Sequence, residues 1–216
     1  MRIGILGSGL MGGKLGTIFA RAGHEVVFSY SRSRRKLQRL ANEAGARARV
    51  GTPAEAAHDA DVVLLAVHWT HVDDVLAQAG ALSGKTVLTC SMPMSADDSH
   101  MVVGYSTSGA EILAEKVPGG HVVAAFSTVP SEVLFPVFER RGRRTRPDLI
   151  YCGDHKGAKK VAASLIRDAG FNPIDLGALL AARNVEPFVL IVAQLAYNGD
   201  GPELAYRFER FSKQAK

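Results

Sequence analysis

The chain has 216 residues, of which 47% are hydrophobic, 22% charged and 7% aromatic, the composition of one globular domain or a domain with a small appendage; it excludes a multi-domain machine and a disordered tail. Lysine and arginine outnumber aspartate and glutamate 26 to 21, a formal charge of +5 with a pI near 9.4, which attracts anions such as nucleic acid or a phosphorylated coenzyme. Two cysteines without close spacing, Cys90 and Cys152, argue against a disulfide framework or zinc site and for a reducing cytoplasm.

Arg2 to Leu6 reads as a buried strand, followed by a glycine loop and a helix from about Met11 to Ala22. Glycines break the apolar start and no small-residue cleavage site follows, so no signal peptide is expected. Glu25 to Tyr30 is a second strand, and Arg34 to Ala44 a helix ending at Gly45. Thr52-Pro53-Ala54-Glu55 is a capping box with proline at the first helical position. Val62 to Val67 is an all-apolar strand, followed by a helix from His71 to Ala79 and a strand from Lys85 to Thr89. Strands this apolar are covered on both faces, which predicts a parallel sheet between helices.

A loop, Ser91 to Thr107, leads to Ser108, which caps a helix to Lys116. Strands are expected at His121 to Phe126, Leu149 to Cys152 and Pro173 to Leu176, with a helix from Lys156 to Ala169 before the last. From Ala178 the chain reads as helical and apolar to Asn198-Gly199, then as an amphipathic helix from Pro202 to Ser212. Its longest apolar run, Pro187 to Tyr197, is shorter than the roughly 20 residues a bilayer requires. The expected units are 1–177, a nucleotide-binding domain, and 178–216, a helical extension.

Gly7-Ser8-Gly9-Leu10-Met11-Gly12 has the spacing G-x-G-x-x-G. Between a strand and a helix that spacing is a dinucleotide fingerprint, with glycines for the turn, the approach to the pyrophosphate and helix packing. The pyrophosphate then meets the positive end of the helix. An NAD site usually carries an acid at the end of the second strand. This chain has Ser29-Tyr30-Ser31-Arg32-Ser33-Arg34-Arg35 there. Ser31, Arg32 and Arg35 are candidate donors to a 2′-phosphate, which favours NADP; the alternative for Arg34 to Arg39 is the solvated face of a helix.

With these residues in place, the chain resembles the NADPH-dependent reductases of the deazaflavin coenzyme F420 and the N-terminal domain of the Steap metalloreductases. The resemblance rests on the glycine loop, Gly23-His24-Glu25-Val26-Val27, Ser31-Arg32, Ala66-Val67-His68-Trp69, Gly119 to Phe126 and Cys152-Gly153-Asp154. Asp175-Leu176-Gly177, Ala182 to Pro187 and Asn198 to Gly201 complete it. It implies a Rossmann-like doubly wound parallel sheet with a small C-terminal helical extension, and hydride transfer between NADP(H) and an F420-like or flavin-like ring. The nicotinamide is implied to lie near Ala66, Val67, His68 and Trp69 and near Ser91, Met92 and Pro93, with the second ring toward Ser127 to Pro130. No side-chain acid or base is implied, because two planar coenzymes held face to face carry the reaction. His68 stands where relatives often have proline, and Ser127 where they have histidine or asparagine; both line the implied cleft. Relatives are homodimers through the C-terminal helices. Other acceptors (a quinone, a ferric chelate, a carbonyl or imine) and a non-catalytic NADPH sensor are the alternatives.

Two features remain open in the sequence. His68, His71 and Asp74 have a spacing that serves a metal, but no further Cys or His accompanies them, and no metal is expected. Arg140-Arg141-Gly142-Arg143-Arg144-Thr145-Arg146 is a solvated loop or a clamp for an acidic small-molecule acceptor; without interleaved aromatic residues it is no nucleic-acid platform. Neither nucleic acid nor a membrane is expected as a partner.

Overall fold

The computed structural model describes residues 1–199 and 201–211. The strands are β1 (Arg2–Leu6), β2 (Glu25–Ser29), β3 (Ala48–Val50), β4 (Val62–Leu65), β5 (Thr86–Thr89), β6 (His121–Ala124), β7 (Asp148–Gly153) and β8 (Asn172–Asp175). They form one eight-stranded sheet in the order β3-β2-β1-β4-β5-β6-β7-β8. The helices are α1 (Leu10–Arg21), α2 (Arg34–Ala44), α3 (Pro53–His58), α4 (Val72–Ala79), α5 (Gly109–Lys116), α6 (Leu134–Glu139), α7 (Lys156–Asp168) and α8 (Ala182–Tyr197).

Alternate strand residues feed opposite faces, as the pleat requires. Ile3, Ile5, Val62 and Leu64 join Phe19, Phe28, Leu165 and Phe171 in one core layer, while Leu6, Val63 and Leu65 join Val75, Leu113 and Val185 in the other. Both layers exclude solvent, which explains the near-continuous apolar runs of β4 and β5.

The architecture expected from sequence is present; besides the added β3 and α6, two differences matter. First, β7 runs antiparallel to β6, pairing Val123 with Gly153 and Ala124 with Cys152. The link between them contains only a 3-10 turn, Ser131–Val133, and the six-residue α6, which packs on α1, too little helix for a crossover back to a parallel strand. Second, residues 202–211 are not helical; Ser212, the last residue of the helix expected there, lies outside the described residues. Instead this segment pairs with the part of β7 that β6 leaves bare. Asp148 N donates to Tyr206 O at 2.8 Å, Phe208 N donates to Asp148 Oδ2 at 2.6 Å, and Ile150 N donates to the Tyr206 hydroxyl at 3.2 Å. Satisfying buried backbone donors outweighs a weak amphipathic pattern.

A 3-10 turn, Leu179–Ala181, runs into α8, and together Leu179–Tyr197 form a 19-residue segment of mean hydropathy 1.4, a third of it buried. By length and composition this is enough to cross a bilayer, which corrects the sequence reading of a shorter run. Charged contacts bind it to the sheet domain. Glu186 is 4% exposed and accepts from Gly109 N and Ala110 N, both at 2.9 Å. Arg183 makes a two-pronged bond to Glu111, Nε to Oε2 at 2.9 Å and Nη2 to Oε1 at 2.7 Å.

Candidate functional site

After β1 the chain steps to β2 and β3 on one side, then returns to β4 on the other, so the topological switch lies between β1 and β4. In sheets of this kind ligands bind outside the carboxyl ends of the strands at that switch. Leu6 pairs with both Ser29 and Leu65, Leu65 with Thr89, and Thr89 with Ala124. The strands therefore end level. Just beyond them stand, in spatial order, Tyr30, Gly7, Ala66, Cys90 and Ala125. With strand spacings of about 4.8 Å this row spans roughly 19 Å. It joins the residues singled out from sequence into one line, from Ser31-Arg32 through the glycine loop and Ala66-Val67-His68 to Ser91-Met92-Pro93 and Ser127.

The glycine loop is built by close approach. Gly7 has φ +108°, and a Cβ there would lie 2.5 Å from the Ala66 carbonyl oxygen; one on Gly12 would meet the Gly7 carbonyl oxygen and lie 3.1 Å from Ala66 Cβ. Gly9 differs: a Cβ on it would have nothing within 4 Å. The protein's own packing thus does not demand glycine at position 9, and the open cradle is space that a ligand can take. Gly9 begins α1 without a side-chain cap, whereas Ser33, Thr52, Ser108 and His155 cap α2, α3, α5 and α7. The first amides of α1, at Leu10, Met11 and Gly12, therefore face an exposed rim with the positive helix end behind them. This donor set fits the pyrophosphate of a dinucleotide. Leu10 is 69% exposed on that rim. Ser8 is buried, its hydroxyl turned inward to Ser29 O at 2.9 Å and its amide donating to Tyr30 O at 3.4 Å, so its side chain does not line the cradle. Lys14 Nζ donates to Ser131 O and Oγ at 3.0 and 3.1 Å, tying α1 to the chain after Ser127.

At the β2 end, Arg32 and Arg35 are exposed and Ser31 half-buried. Among the described residues neither arginine lies within ion-pair distance of a carboxylate. At the β4 end, His68 is held from both sides, Nδ1 against Thr70 Oγ1 at 2.8 Å and Nε2 against Asp98 Oδ1 at 3.0 Å. Past β5, Ser91 is buried with its hydroxyl 3.4 Å from Leu65 O, Met92 is half-buried, and Pro93 packs against Gly109. Past β6, Phe126 has φ +68° and is fully buried beside Phe19, leaving Ser127 half-buried at the edge. Thr128 is buried, its hydroxyl 2.8 Å from that of Tyr206. Burial pushes the thiols of Cys90 and Cys152 up to about 12, so both stay protonated at neutral pH and act as packing residues. Among the described residues no group of three or more His, Cys, Asp or Glu is placed to hold a metal ion. The arginine loop borders a recess of about 520 Å³ with Arg140, Arg143 and Arg146 on its walls and Val133, Pro136 and Pro147 among its apolar lining.

Sequence reasoning missed Asp98 and Tyr206, and it weighed Asp74 as a metal ligand without its pairing to Tyr30. Asp74 and Asp98 reach Tyr30 and His68 from 44 and 30 residues away, and no local pattern announces such pairings. For Glu186 a signal existed: it is the lone acid of α8, directly before the apolar run that starts at Pro187.

Residues 2–93 match the family described as NADP oxidoreductase, coenzyme F420-dependent. The metalloreductase STEAP3 of Rattus norvegicus is 31% identical over 189 residues, which cover 88% of this chain and 36% of that protein. The chain thus spans about a third or less of the length of the curated metalloreductases it matches. Among solved structures, a provisionally named F420-dependent NADP-reductase from Arthrobacter sp. FB24 superposes with a TM-score of 0.85 over 97% of this chain and all of that one, at 21% identity. A protein of unassigned function from Sinorhizobium meliloti gives 0.74 over 84% of this chain and 88% of its own, at 29% identity. Over residues 2–93, less than half of its length, the chain is therefore similar to the NADP oxidoreductase, coenzyme F420-dependent, family.

Proposed function

We propose that this protein is an NADPH-dependent oxidoreductase that passes hydride between NADP(H) and a deazaflavin-like or flavin-like ring. The observation that carries the reading is the open cradle at Gly9, set at the sheet's switch point beside a corner whose arginines lack acidic partners among the described residues. The amides of Gly9 to Gly12 receive the pyrophosphate, and Ser31, Arg32 and Arg35 receive the 2′-phosphate. Bound there, the nicotinamide supplies or accepts the hydride. Ala66 to His68 and Ser91 to Pro93 floor the inner end of the row, and His68 and Ser127 border the second ring. The side chains orient two planar partners and exclude water rather than exchange protons, so no catalytic acid or base is assigned. The recess at Arg140, Arg143 and Arg146 suits the acidic portion of an acceptor. We read 178–216 as an extension of the 1–177 domain, with α8 as the face that joins two copies in a homodimer. The two free, buried cysteines suit a cytoplasmic setting.

A ferric chelate is the second acceptor reading, favoured by the 31% identity to a metalloreductase. Stopped-flow mixing of the NADPH-bound protein with F420, FMN, FAD and ferric citrate separates the two; NADPH oxidised by none of them refutes both. For the coenzyme, Arg32→Ala is expected to weaken NADPH binding about 10- to 100-fold, the value of one charge-assisted hydrogen bond, with little change for NADH. Equal losses for both nucleotides contradict the assignment.

A further inference from the structure

Bonded to Tyr30, two residues before Arg32, is a carboxylate that sequence order conceals. Tyr30, the first residue past β2, takes the left-handed conformation at φ +55°, uncommon for a bulky side chain. Its hydroxyl donates to Asp74 Oδ2 of α4 at 2.6 Å, and Gln78 Nε2 donates to the same oxygen at 2.9 Å. The Tyr30 ring meets His71 edge-on at 6.4 Å, and the positive charge of Arg32 acts on the Tyr30 hydroxyl. The charged and titratable groups gathered here are thus Arg32 from the β2 side and His71 and Asp74 from the α4 side. Asp74 is the acid among them, brought within one tyrosine side chain of the end of β2.

An acid at that strand end ordinarily accepts from a free ribose 2′-hydroxyl and so selects the non-phosphorylated dinucleotide. Against a phosphate it acts by like-charge repulsion. We infer that Tyr30 is a specificity-determining residue: its hydroxyl occupies Asp74, keeps that carboxylate from the ribose, and thereby preserves the preference of the corner for a phosphorylated adenosine. The lock is durable. Burial, and then the Asp74 bond, push the Tyr30 phenol up to about 12, so it remains a donor at neutral pH. The same bond, with help from Gln78, holds the Asp74 carboxyl below its usual range.

This inference rests on the NADP reading above, and one experiment tells their failures apart. Dissociation constants for NADPH and NADH are measured by calorimetry for the wild-type chain, Tyr30→Phe, Asp74→Asn and the double variant. Tyr30→Phe is expected to cut the NADPH-over-NADH preference about tenfold, equivalent to about 1.4 kcal/mol. Asp74→Asn is expected to retain the preference, and adding it to Tyr30→Phe to restore it. That rescue separates a charge effect from a packing defect, which neutralising Asp74 does not repair. A Tyr30→Phe protein with the wild-type ratio overturns the inference alone, as does a double variant as impaired as the single one. A wild-type protein that binds both dinucleotides equally overturns the coenzyme reading and the inference with it.

Discussion

Asp97 organises the loop that faces the inner end of the row. It accepts from Ser95 Oγ at 2.6 Å, Ser99 Oγ at 2.8 Å and Ser99 N at 3.2 Å, and these bonds hold its carboxyl down at about 2. The next residue, Asp98, takes φ +56° and presents its carboxylate to His68. Because the Asp97 value is depressed in the folded protein, its contribution is present above the free aspartate value of about 3.9 and is lost as pH falls through about 2. An acid titration followed by the Ser99 amide resonance is expected to show the loop releasing near pH 2; a midpoint near 4 contradicts the Asp97 hub. At this scale the sequence displayed the chemistry only where neighbours in the chain act together. Ser31-Arg32 could be singled out because both follow one strand, whereas the pairings of Tyr30 with Asp74 and of His68 with Asp98 exist only after folding.

Helix α8 owes its position to two acids. Glu186 takes the place of water at the start of α5, which the Ser108 hydroxyl caps one residue further on through Glu111 N at 3.2 Å. Burial raises the Glu186 carboxyl, and the two amide donors counter that rise. Glu186→Ala leaves two buried donors unpaired, an expected loss of about 2–4 kcal/mol. It is read as a lower urea midpoint with unchanged slope, and Glu186→Gln, retaining one acceptor, is expected to fall between. Local signals of this strength are what made the elements readable. The Thr52-Glu55 box is closed in both directions, with Thr52 N to Glu55 Oε2 at 2.7 Å and Glu55 N to Thr52 Oγ1 at 3.2 Å, and the apolar runs became β1, β4 and β5. The three-residue β3 is too short to show a period, and α6 carries Pro136 within six residues. Both form because the sheet edge and α1 accept them.

At the scale of the molecule, Leu180, Ile191 and Leu195 leave an apolar face on the C-terminal helical segment, each 57–60% exposed. On the homodimer reading this face meets its copy. Leu195→Glu is then expected to convert the dimer to monomer in sedimentation velocity while keeping a cooperative thermal transition whose midpoint no longer depends on concentration, and a wild-type chain that sediments as a monomer at all concentrations contradicts that reading. The wild-type strand order was not in the sequence; it follows from right-handed crossovers and from where a crossover helix is missing. The interlock of Gly7, Gly12 and Ala66 carries a practical lesson for anyone redesigning the protein. Three backbone segments already touch there, so even a methyl group displaces the turn, and the inner floor resists mutation. The rim at Tyr30, Ser31, Arg32 and Asp74 is packed against nothing so rigid. Swapping one redox currency for another is work for that outer rim, and libraries that randomise the inner turn will mostly return unfolded clones.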